Sequence, residues 1–162
     1  ATIFFKNYTQ IKDWQKLMRR IEAGEQRILR RRELDAALKK KVAACPSAIT
    51  TLTIDYKCLG GEGRGKTPFT VDNDRHLVCL ACQCGYGQWE ELQGEVRTSW
   101  LFKFDWFMKT RTEVELAKRV EYLAKLVEKE LADEAEAARR AKRKRPGEDD
   151  GGNGGGKKRK ES

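Results

Sequence analysis

The sequence has no long hydrophobic run, a single histidine, three prolines and an odd number of cysteines. Each shortage excludes something. No apolar stretch approaches the ~20 residues a membrane-spanning helix requires, and no secretory leader opens the chain. The one histidine, His76, has no paired nucleophile or carboxylate, so no catalytic constellation stands out and the chain reads as a non-enzyme. The five cysteines (Cys45, Cys58, Cys79, Cys82, Cys84) lack the regular framework of a secreted disulfide module and point to a reducing compartment, cytosol or nucleus. Acidic residues are also in deficit, 25 against 34 basic, for a formal charge of +9.

That surplus is concentrated. Residues 139–162 hold 10 Lys/Arg against 4 Asp/Glu, a surplus of +6, which leaves +3 for residues 1–138. A basic tail on a mildly basic domain points to a polyanionic partner, nucleic acid and not membrane. With 162 residues the chain supports one compact domain plus appendages, and its start at Ala1 rather than Met reads as a fragment or a processed product.

What is present is helical. Residues 10–44 read as a helix with Thr9 as N-cap, and Ile11, Trp14, Met18, Ile21 and Ile28 form an apolar stripe that drifts to Leu34, Leu38 and Val42. Gly24 is a point for a kink, and Cys45-Pro46 ends the helix. "TLTIDY" (51–56) alternates like a short strand or extended segment. Thr70 caps a helix running to about Cys84, with Asp72 and Asp74 favourable in its first turns. Trp89 to Arg97 form a second short helix, and the aromatic segment 98–109 reads as a connection packed into the domain. Thr112 and Glu115 form a capping box that opens a third helix. Leu116, Val120, Leu123, Val127 and Leu131 are its apolar face, and it extends to about Arg145 before Pro146-Gly147. The remainder is too poor in apolar residues to fold and is expected to be disordered.

Two motifs invite chemistry and fail on context. "GGEGRGKT" (60–67) fits the phosphate-loop pattern, but Pro68 biases Thr67 away from the helix such a loop must open. No later strand supplies a magnesium-holding Asp, so a surface loop is the better reading. His76, Cys79, Cys82, Cys84 and Cys58 suggest zinc, yet Leu77, Val78, Leu80 and Ala81 mark a core helix where cysteine acts as a small hydrophobe. Neither a metal nor a cofactor is therefore expected in this chain. The aromatics Phe69, Trp89, Phe102, Phe104, Trp106 and Phe107 are expected to fill the core of a three-helix unit rather than to stack on bases. The clusters Lys142, Arg143, Lys144, Arg145 and Lys157, Lys158, Arg159, Lys160 resemble paired nuclear-import signals, which places the protein in the nucleus.

Two short helices followed by a longer one opening on Arg-Thr resemble the Myb/SANT repeats, relatives of the helix-turn-helix. More specifically, "FKFDWFMKTRTEVELAKR" (102–119) is similar to the hallmark of the SLIDE domain of imitation-switch (ISWI) chromatin remodellers, and "IEAGEQRILRR" (21–31) resembles that family's spacer helix. The resemblance covers roughly residues 3–135. It implies an all-α architecture: a long basic spacer helix, a SANT/Myb-like three-helix domain, and a disordered basic tail. The corresponding bounds are a spacer at 1–45, a linker with the glycine loop at 46–69, the SLIDE domain at 70–138 and the tail at 139–162. A helicase-like motor using ATP and magnesium would precede Ala1, together with HAND and SANT modules. Implied partners are double-stranded linker DNA and nucleosomes, with histones and accessory remodeller subunits as the alternative; Glu90, Glu91 and Glu95 are the acidic candidates for the latter. The candidate DNA contacts are Lys103, Lys109, Arg111, Lys118 and Arg119 around the third helix, and Arg27, Arg30, Arg31 and Arg32 on the spacer. Few are of the type that reads bases, so sequence-independent binding is expected. Lys118 and Arg119 are both expected on the exposed face of the third helix. A Myb-type sequence-reading factor is the remaining alternative, for which Glu113, Lys118 and Tyr122 make a poor base-reading face.

Overall fold

A computed structural model describes residues 12–58 and 67–144. Thr9, Ile11, the glycine-rich loop up to Lys66 and the tail from Arg145 onward lie outside the described residues. Among those described, every regular element is helical.

Helix α1 (Trp14–Ala43) starts four residues later than the periodicity predicts, behind Asp13 in the left-handed region at φ 59°. It passes Gly24 without a break. A Cβ at Gly24 would meet nothing within 4 Å, so this glycine serves no packing contact and costs only helix propensity. A short helix, α2 (Ala48–Thr51), follows. Then comes the alternating segment, with Leu52 and Ile54 buried and Thr53 and Asp55 exposed. The alternation is real, but no partner strand exists among the described residues. The segment is instead fastened by Arg75, whose Nε donates to the Leu52 carbonyl at 2.9 Å.

Helix α3 (Val71–Cys84) begins at a reciprocal cap: Thr70 Oγ1 accepts from the Asn73 N–H at 3.0 Å, and Asn73 Oδ1 accepts from the Thr70 N–H at 2.8 Å. Gly85 and Gly87, at φ 97° and 104°, make the turn into α4 (Trp89–Thr98). A 3-10 turn, η1 (Trp100–Phe102), leads to α5 (Trp106–Lys109), whose N-cap Asp105 accepts from the Met108 N–H at 3.0 Å. Helix α6 (Glu113–Lys144) opens on the predicted box: Thr112 N–H donates to Glu115 Oε2 at 2.8 Å and Glu115 N–H to Thr112 Oγ1 at 3.3 Å.

One core joins these pieces. Leu77, Val78 and Ala81 of α3, Leu92 and Val96 of α4, and Leu116, Val120, Leu123 and Val127 of α6 meet around Phe102 and Met108. Leu34 and Leu38 of α1 belong to the same cluster, so the C-terminal half of the long helix is part of the domain. Its N-terminal half is different: Leu17, Ile21, Ile28 and Leu29 are exposed. At 100° per residue, Ile21 and Ile28 stand about 100° round the helix from Leu34 and Leu38, so the face that docks leaves these two in solvent, while Trp14 and Met18 are half-buried.

The aromatic expectation needs correction. Phe69 and Phe102 are buried and Trp89 and Phe107 pack against the core, but Phe104 and Trp106 are 85% and 74% exposed. The physical reason is the brevity of α5. Once Phe107 and Met108 turn inward on its single turn, Trp106 is left on the outer side, and Phe102 already fills the space beneath.

Candidate nucleic-acid interface

The predicted basic residues fall into two groups, those engaged inside the fold and those left in solvent. Arg119 belongs to the first, contrary to expectation. Its Nε donates to Asp74 Oδ1 at 2.7 Å and its Nη2 to Oδ2 at 2.6 Å, with the two side chains 10% and 0% exposed. Tyr56 Oη donates to the same carboxylate at 2.9 Å, and the guanidinium lies over the rings of Phe69 (5.1 Å) and Tyr122 (5.2 Å). A buried carboxylate must be paired, and the planar fork of Arg suits it. The sequence carries the signal: Asp74 precedes Leu77, Val78 and Ala81 by three, four and seven residues, the spacing of one helix face.

Arg111 and Arg30 are also engaged. Arg111 Nη1 donates to Glu115 Oε1 at 2.8 Å and its Nε to the Phe107 carbonyl at 3.1 Å, so it braces the start of α6. This pairing and the Thr112 N–H hold the Glu115 carboxyl below its ordinary value, the backbone hydrogen bond contributing most. Arg30 bridges to α6 through Glu128 at 2.5 and 2.6 Å, with Glu33 as a third contact.

In the second group, Lys103, Lys118, Arg31 and Arg32 are exposed and make no ion pair among the described residues. Arg27 is exposed too, with its Nε on the Ala23 carbonyl. Lys103 lies over the Phe104 ring at 5.4 Å and the half-buried Lys109 over Trp106 at 6.0 Å. Lys142 and Arg143 stand on the exposed end of α6, which Lys144 completes; Arg145, Lys157, Lys158, Arg159 and Lys160 lie outside the described residues.

Around the Tyr86 hydroxyl, which burial pushes up to about 12, Glu121 of α6 and Arg30 and Arg31 of α1 all exert their charge. Arg31 Nη1 also lies 3.9 Å from where a Cβ on Gly87 would stand. On α6, Lys118 and Lys125 are three residues before and four after Glu121, on the same exposed face. Arg27 is one turn before Arg31. Lys125 escaped the sequence reading, although its place seven residues after Lys118 is the available signal. Arg32 is about 100° round α1 from Arg31 and faces elsewhere. Cys79 is buried in the core and Cys82 and Cys84 pack against it, with burial pushing the Cys82 thiol up to about 12.

The sequence model of the SLIDE family matches residues 15–131. The chain belongs to the SLIDE family. It is 37% identical over 145 residues to ISWI chromatin-remodeling complex ATPase CHR11 of Arabidopsis thaliana, covering 90% of this chain and 13% of that protein. It is 36% identical over 148 residues to the human SWI/SNF-related matrix-associated actin-dependent regulator of chromatin subfamily A member 1, covering 90% and 14%. It is 30% identical over 133 residues to ISWI chromatin-remodeling complex ATPase ISW2 of Saccharomyces cerevisiae, covering 80% and 12%. The chain thus spans only 12–14% of the length of these relatives. The SLIDE match ends at Leu131, which packs against the core, whereas residues 132–143 of α6 are exposed throughout. It includes nearly all of α1, consistent with Leu34 and Leu38 sharing the domain's core.

Proposed function

We propose that this SLIDE chain is the linker-DNA and nucleosome-binding module of an imitation-switch chromatin remodeller, acting in the nucleus without catalytic activity or cofactor of its own. ATP and magnesium are assigned in this reading to a motor elsewhere in the whole protein; the relatives' names say only that those proteins are ATPases. The observation that carries the reading is the set of exposed cations that make no ion pair among the described residues: Lys118 and Lys125 on one face of α6, and Arg27 and Arg31 on one face of α1, with Arg31 beside the Gly87 turn. They offer ammonium and guanidinium groups on rigid helices, which suits phosphate and positions the duplex without reading it. Arg119, Arg111 and Arg30 are the scaffold behind this surface and not part of it. Lys103 and Lys109 are left out of this set, since each lies over an exposed aromatic ring.

The test is charge reversal in two pairs, Lys118→Glu/Lys125→Glu and Arg27→Glu/Arg31→Glu, read by fluorescence anisotropy on two unrelated duplexes over a salt series. Counterion release gives a slope in log K against log salt of about −0.9 per phosphate contacted, so each pair is expected to flatten it by roughly 1.8. Both duplexes should weaken by the same factor. An unchanged slope in both variants contradicts the assignment, and loss confined to one duplex supports a sequence-reading factor instead.

A further inference from the structure

The segment from η1 to α5 presents three large aromatic side chains to solvent: Trp100, Phe104 and Trp106, at 77%, 85% and 74% exposure. Single exposed apolar residues are ordinary. Three within seven consecutive residues present on the order of 400 Å² of aromatic surface, which marks an interaction site on a soluble domain. Their backbone is held from beneath. Ser99 Oγ accepts from the Leu101 N–H, Lys103 N–H donates to the Trp100 carbonyl at 3.1 Å, and Phe102 and Met108 anchor the segment in the core. Such a preorganised surface loses little entropy when it is covered.

Charge narrows the occupant. Lys103 lies over the Phe104 ring and Lys109 over the Trp106 ring. Asp105 is the one acidic residue between Arg97 and Thr110, and it is used internally, capping α5 and accepting from Asn73 Nδ2 at 2.6 Å. A basic segment such as a histone tail would meet like charge here. A duplex keeps its base faces stacked on each other, so exposed rings gain little from it. Exposed aromatic rings match protein interfaces, where Trp and Phe are enriched, and the two ammonium groups favour an acidic partner.

We propose that Trp100, Phe104 and Trp106, with Lys103 and Lys109, form a docking surface for an acidic segment of a partner protein that inserts leucine or aromatic side chains between its carboxylates. This surface shares no residue with the cations assigned to DNA, so variants of one leave the other intact and either reading can fail alone.

The experiment is peptide-display selection from an unbiased library on the full 162-residue chain, followed by anisotropy with the enriched synthetic peptides. Enriched peptides should be rich in Asp and Glu with interspersed Leu, Phe or Trp. They should bind Phe104→Ser/Trp106→Ser at least tenfold more weakly than the parent, while that variant keeps the parent's melting profile and its duplex affinity within twofold. Lys103→Glu/Lys109→Glu, which spares the rings, should also weaken acidic peptides at least tenfold. Failure to enrich any peptide, enrichment of basic peptides, or equal binding to parent and both variants overturns the proposal. A tenfold loss of duplex or single-stranded DNA affinity in Phe104→Ser/Trp106→Ser overturns it too, and gives the aromatics to nucleic acid.

Discussion

A guanidinium held by both oxygens of a fully buried carboxylate is unavailable to phosphate, and Arg119 is therefore a residue of stability. Removing one partner of such a pair leaves an uncompensated buried charge and typically costs ~3–5 kcal/mol. Arg119→Ala and Asp74→Ala are both expected to lose about that much in urea unfolding. Arg119→Lys should recover little, because an ammonium cannot reproduce the two parallel hydrogen bonds. An Arg119→Ala protein that unfolds with the parent but binds DNA poorly would return this residue to the interface. His76 gives a second test at this scale. Burial on the inner side of α3, with the Phe102 ring 5.6 Å away edge-on, holds its imidazole below the ordinary 6.5. The unfolded chain then binds the proton more readily, so stability should be level above pH ~7 and decline as pH falls through 6.5 towards the folded value. As the only histidine, it can be titrated by proton NMR without assignment. A midpoint at or above 6.5 would contradict its placement.

Helix α1 carries two apolar stripes with different fates. Leu38→Ala should cost ~2–5 kcal/mol, as a fully buried truncation, whereas Ile21→Ala should stay within about 0.5 kcal/mol by the same chemical denaturation. If Ile21→Ala costs as much as Leu38→Ala, the N-terminal half is packed and not exposed. Gly24→Ala should firm this half by ~1 kcal/mol, since the added Cβ meets nothing. The readout is amide hydrogen exchange over residues 14–28, expected to slow about fivefold where opening is local. No slowing would mean that the glycine does not limit this stretch. Both stripes are legible as periodicity, but periodicity states which residues share a face and not whether that face finds a partner. For the same reason the helices bounded by local chemistry were readable: Thr70 and Thr112 satisfy their own N–H groups, and Gly85 and Gly87 turn the chain with positive φ. The 3-10 turn and α5 were not, because elements of three and four residues carry too few positions for a period.

At the scale of the whole molecule, one core reaches from Leu34 to Val127, and ion pairs such as Lys41 with Glu130 at 2.5 Å lock α1 across α6. The family was legible from two motifs in the right order, whereas the division of the cations was not. Arg119 and Lys118 are adjacent in sequence but 100° apart on α6: Arg119 flanks the apolar stripe and is drawn in by Asp74 from another helix, whereas Lys118 lies opposite the stripe in solvent. The surplus charge of the described domain thus lies on helices joined rigidly to one another, which suits a clamp on an extended stretch of DNA. The most direct measurement compares the affinity of the full chain for two nucleosomes. One is a core particle with about 147 bp fully wrapped; the other carries a free duplex extension of ~30 bp, long enough for several phosphate contacts. The account predicts at least tenfold tighter binding to the extended nucleosome, with the same advantage for two unrelated extension sequences. Equal affinity for the two particles would contradict it and move the contact to histones or wrapped DNA.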